Sequence, residues 1–140
     1  MNEKASFSNK ITVFYVTQPP KNKNDHPYIN SISLRTEKQP VRISFYTSVI
    51  NIEDDNIFMK IRYAMTDTSE EMFSGFTDPV KINKVPGTTF TSFDISAEFV
   101  LEIDKIACFE VQLQKRNDDS QIEVLDFKRC FVEIKLHEGN

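Results

Sequence analysis

The chain has 140 residues, of which 39% are apolar, and a formal net charge of −4. That length suits one domain burying about two-thirds of its unfolded surface, and the apolar content argues against a disordered chain. Basic residues are interleaved with acids, the densest cluster being Lys21 to Lys23 near Lys10. Nucleic acid and anionic membrane are therefore not expected partners.

Residues 1–10 are polar and expected to be flexible, residues 11–136 to form the single domain, and residues 137–140 a tail. The N-terminus has no apolar signal core, and no window approaches the ~20 apolar residues of a membrane span. Read as a full-length product, the chain is expected in the cytoplasm.

Ile11 to Thr17 reads as a first strand, with apolar residues on both faces. The polar, proline-bearing run Gln18 to Pro27 cannot hold a ladder and reads as a loop. Tyr28 to Leu34 is the next strand. Val41, Ile43, Phe45, Thr47 and Val49 then alternate with Arg42, Ser44, Tyr46 and Ser48, the clearest period-two signal in the chain. Ile57, Met59, Ile61, Tyr63 and Met65 repeat it. The polar turn Glu53 to Asn56 between them predicts a hairpin.

The connection Thr66 to Pro79 carries Thr68-Ser69-Glu70-Glu71, which fits a capping box and at most one short helix near residues 68–74. Short strands follow at Val80 to Val85, Thr88 to Ile95 and Glu98 to Ile103. A final hairpin pairs Ile106 to Lys115 with Gln121 to Leu136. The expected fold is all-β: an antiparallel two-sheet sandwich, immunoglobulin-like, with about 8–9 strands. The long last hairpin resembles the closing hairpin of immunoglobulin-like sandwiches, although the Cys–Trp–Cys hallmark is missing.

Within that hairpin Leu125 and Phe127 are expected inward, and after a slip of one residue Cys130, Val132, Ile134 and Leu136 share the apolar face. The slip predicts a β-bulge near Lys128-Arg129. With the bulge, Cys108 and Cys130 face opposite sides and stay free; without it they could be cross-strand neighbours. Two free thiols are the preferred reading.

Candidate chemistry is sparse. The only histidines, His26 in the proline loop and His137 in the tail, have no nucleophile turn beside them and read as solvent-exposed. No His/Cys cluster has metal-ligand spacing. A weak calcium alternative uses Asp25, Asp54, Asp55 and Asp104, which share one end if the strands simply alternate, with Asp118 and Asp119 at the other. Tyr15, Tyr28, Tyr46 and Tyr63 could supply a sugar platform, with Tyr46 and Arg42 as the candidate ligand-binding pair. Met72, Phe73 and Phe76 place three large apolar residues in a polar connection. They either fold back as a lid on the open end of the sandwich, which the cost of exposing them favours, or anchor a protein partner. Lys81, Lys84 and Arg62 could protect strand edges from pairing.

The leading expectation is a non-enzymatic interaction module that binds a protein partner through a loop end or a sheet face, with Met72, Phe73 and Phe76 as candidate contacts, and needs no cofactor. The alternative is a small-ligand or carbohydrate-binding sandwich, with calcium as an optional aid. A third is an assembly subunit that oligomerises by strand addition.

Overall fold

A computed structural model describes residues 8–18, 25–65, 73–83 and 90–138. Those residues are all-β: eight strands in two sheets, and no helix. The strands are β1 (Lys10–Thr17), β2 (Ser31–Leu34), β3 (Pro40–Ile50), β4 (Ile57–Ala64), β5 (Val80–Ile82), β6 (Phe90–Val100), β7 (Ile106–Arg116) and β8 (Ile122–Leu136). One sheet has the order β1-β3-β6; the other, which is curled, has the order β2-β8-β7-β4-β5. Among the described residues no helix is long and apolar enough to cross a membrane. The capping-box residues Thr68 and Glu71 lie outside the described residues, as do Met72 and Lys84, and residues 73 and 74 are not helical.

The alternating segments form strands because period-two patterning gives each one apolar face to bury. Those faces meet in one core. Phe45 of β3 is fully buried, its ring 5.3 Å from Phe14 of β1, 5.9 Å from Phe99 of β6 and 5.1 Å from Phe109 of β7. Tyr63 of β4 closes the cluster at 5.0 Å from Phe99 and donates its hydroxyl to the Val100 carbonyl. The two sheets are thus joined through aromatic contacts rather than hydrogen-bonded ladders.

Several expectations are corrected. β3 and β4 do not form a hairpin; they lie in different sheets. Asn51 and Asn56 take φ of 51° and 60°, a left-handed conformation asparagine tolerates, and redirect the chain across the core. A hairpin and such a crossing bury the same alternating residues, so the pattern cannot separate them. The strands expected at Thr88 to Ile95 and Glu98 to Ile103 are one strand, β6, paired without a break to β3. Its Ser96-Ala97 step is harmless because Ser96 lies on an exposed face. β2 runs parallel to β8, the exception to antiparallel pairing. Asn9 and Lys10 are not loose: Asn9 donates to the Asn51 carbonyl and to Asp54 Oδ2, and Lys10 opens β1.

The last hairpin forms as expected, but its register shift lies opposite Leu113/Gln114 and leaves Leu125 as the extra residue. The bulge is therefore three residues earlier than Lys128-Arg129, and Phe127 points away from the core. Cys108 pairs across from Phe131 and Cys130 from Phe109, so the thiols occupy opposite faces, and neither is in a disulfide. Burial pushes the Cys130 thiol up to about 12, with Cys108 adding to the shift.

Candidate functional site

The outer face of the five-stranded sheet is built from alternate residues of its three central strands. On β7, Glu110, Gln112 and Gln114 point away from the aromatic core, yet all are buried. Cross-strand register sets Arg62 and Arg129 on either side of Glu110. Glu110 Oε1 accepts from Arg62 Nε at 2.8 Å and Gln112 Nε2 at 2.7 Å, and lies 2.8 Å from Arg62 Nη2. Its Oε2 accepts from Arg129 Nε at 2.7 Å. Gln114 Nε2 donates on to Gln112 Oε1 at 2.9 Å, which completes a polar line along the strand. Burial pushes the Glu110 carboxyl up, but the bonds from Arg129, Gln112 and Arg62, with the Arg62 charge, outweigh it and hold the pKa below its ordinary value.

The segment 73–79 completes this face. Ser74 and Thr77 donate backbone N–H to the Tyr63 and Ile61 carbonyls, and their hydroxyls accept from the N–H groups of the same two residues. The segment is thereby stitched along β4 beyond the short β5. That places Phe73 against both guanidinium groups, 4.5 Å from Arg62 and 5.0 Å from Arg129, and Phe76 5.0 Å from Arg62. Residues 73–79 do fold back, but onto a sheet face and not over the open end. Phe73 is half-buried, Phe76 is exposed, and Met72 lies outside the described residues. Arg62 serves Glu110 and the two rings rather than guarding an edge.

Around this floor runs an apolar ridge. Ile122, Val124, Phe127 and Phe131 of β8 and Ile106 of β7 share the face of Glu110, as their pairing with Arg116, Gln114, Gln112, Cys108 and Glu133 shows. All five are exposed, Phe127 at 53% and Phe131 at 55%. Sequence pattern alone does not single out this ridge: apolar residues fall in both phases of β8, and a bulge near Lys128-Arg129 would account for them equally.

The other candidates separate. Tyr46 lies on the outer face of the three-stranded sheet, stacked on His26 at 4.2 Å and tilted against Tyr15 at 5.5 Å. Tyr28 meets Tyr15 edge-on at 5.6 Å. These rings cover one another, so only Tyr28 is broadly exposed, while Tyr63 is in the core cluster. His26 is packed rather than solvent-exposed; its Nδ1 lies 3.2 Å from Asp94 Oδ1, without hydrogen-bond alignment. His137 is exposed, and its N–H donates to the Leu34 carbonyl. Arg42 lines a cleft of about 230 Å³ with Thr17, Ile29, Ile32 and Val41, four residues along β3 from Tyr46, which does not line it. The two do not converge on one ligand.

The aspartates also part. Asp54 holds Asn9 and Lys115, and the Asp118–Asp119 turn follows β7 at that same end. Asp104 sits at the opposite end, donating its N–H to the Ile134 carbonyl. Merging two expected strands into β6 reverses the end at which Asp104 falls. Asp25 is exposed in the segment leading to His26, and Asp55 is exposed beside Asp54. Among the described residues no three His, Cys, Asp or Glu side chains could hold a metal ion. Comparison of the chain with family models, curated proteins and solved structures found no match.

Proposed function

We propose that the chain is a non-enzymatic interaction module, sandwich-like and immunoglobulin-like in its general architecture, that binds a protein partner through the outer face of the five-stranded sheet. The observation that carries this reading is the exposed ridge of Ile106, Ile122, Val124, Phe127 and Phe131 beside an arginine-aromatic cluster. Contiguous exposed apolar residues mark interaction surfaces, and aromatic and arginine side chains dominate interface energetics. Glu110 holds both guanidinium groups in place before binding, which lowers the ordering cost. Phe73 and Phe76 belong to this surface as its flank, in keeping with their role as candidate contacts.

The test compares wild type with the double variant Phe127→Ser/Phe131→Ser. Both positions are on the surface, so the melting temperature is expected to hold. A protein captured by the wild-type chain, then titrated directly against both forms by calorimetry, is expected to bind only the wild type. Undiminished binding by the double variant would refute the reading, and so would its unfolding.

A further inference from the structure

Every sheet margin but one carries a device against pairing with another chain. β1 has a register shift between Ile11 and Val13, and its margin is occupied: Ile11 N–H donates to Asp126 Oδ2 at 2.8 Å, and Ile29 N–H to the Val16 carbonyl at 3.0 Å. β2 has four residues, while β5 has three and carries Lys81. β6 is different. It is an edge strand of eleven residues, unbroken in its pairing to β3, with no proline, lysine or arginine. Among the described residues no backbone–backbone hydrogen bond reaches it from outside its own sheet, and the Tyr63 hydroxyl takes only the carbonyl of its last residue, Val100. An open cleft of about 570 Å³ separates residues 95–98 of β6 from Phe76 to Val80, leaving room for side chains of an added strand.

We infer that β6 is a dimerisation edge whose occupant is the β6 strand of a second copy of this chain, antiparallel and centred on Ile95. The sequence of the strand is self-complementary in that register and not in the two face-keeping registers next to it, centred on Asp94 and Ser96. Residues 91, 93, 95, 97 and 99 face the core and residues 90, 92, 94, 96, 98 and 100 face out, so only registers that pair like with like keep the faces. Centred on Ile95, Asp94 meets Ser96 of the other copy and Ser92 meets its Glu98. Bulky Phe93 meets small Ala97, and exposed Phe90 (57%) covers exposed Val100 (42%) at both ends. Centred on Asp94, that carboxylate would face itself; centred on Ser96, it would face Glu98. Like charges directly opposite are unfavourable. The contact is isologous and consumes both free edges, so it closes at a dimer and joins the two three-stranded sheets into one of six. One strand pair is a small interface, so the association is expected in the micromolar range.

The test is sedimentation velocity of the full chain over a concentration series, with two substitutions at one exposed position. Ser96→Lys sets a cation opposite Asp94 twice per dimer, and Ser96→Asp sets a carboxylate there twice. Both lose the same hydrogen bond to Ser44, so each controls for the other's local damage. At about 0.2–1 kcal/mol per cross-strand pair, the lysine variant is expected to tighten the dimer about 2- to 30-fold and the aspartate variant to weaken it as much. Hydrogen exchange is expected to slow at residues 90–100 as wild-type concentration rises, a readout independent of either variant. A strictly monomeric chain, oligomers beyond the dimer, or a dimer indifferent to residue 96 would overturn the proposal. So would a monomeric β6 edge that takes up only an unrelated extended peptide. None of these results bears on the Phe127 and Phe131 surface, which lies on the other sheet.

Discussion

Replacing Glu110 by alanine removes one carboxylate that Arg62, Arg129 and Gln112 all address. Glu110 is 1% exposed and the Arg62 side chain 14%, so the change strands buried charge and a buried amide. Removing one partner of a buried ion pair costs about 3–5 kcal/mol. The Arg129 side chain, at 34% exposure, can recover water, which trims the expected loss to about 2–4 kcal/mol. For a chain of this length that lowers the melting temperature by about 10 °C. The chain has no tryptophan, so urea unfolding is best followed by far-ultraviolet circular dichroism. Glu110→Gln keeps the shape and some acceptor capacity, and about half the loss is expected.

The pH dependence supplies a second arm. The folded pKa of Glu110 lies below its unfolded value, so the unfolded chain binds the proton more readily. The contribution is complete above the unfolded carboxylate range, near pH ~4.3, and disappears as pH falls through the lower folded value. Wild-type stability is expected to fall more steeply than that of Glu110→Gln below that range. A loss under about 1 kcal/mol for the alanine variant, or parallel pH curves, would show that the arginines bracket a carboxylate of no structural consequence.

Phe45→Ala is expected to cost about 3–5 kcal/mol, because its ring contacts aromatic residues of both sheets; a cost no larger than that of Phe131→Ala, measured by the same urea titration, would misplace the core. Native protein at about pH 8 is expected to keep both cysteines unreacted with a maleimide and to release both in urea, since Cys108 is buried and the Cys130 thiol is pushed up to about 12. Rapid native labelling of Cys130 would contradict the burial of that face.

The sequence alone determined most of the strands, although it split β6 in two. Alternation over residues 41–49, 57–65 and 106–115 reports a local property, the two-residue repeat of a pleat, and needs no knowledge of neighbours. It left open whether the thiols point apart and whether Phe73 and Phe76 fold back or anchor a partner. Only the tertiary structure decided that β3 and β4 lie in opposite sheets, because burial against a hairpin partner and burial across a core leave the same pattern. It alone decided where the extra residue of β8 falls, which turned Phe127 from a core residue into part of an exposed ridge. Residue type alone gives no sign that Glu110, Gln112 and Gln114 are buried. They are buried because β7 is the central strand of five and the chain returns to lay Phe73 over the arginines beside it. Burial of a polar residue depends on what lies on the neighbouring strands and on what passes above them, and strand order is a long-range property that no single stretch of the chain encodes.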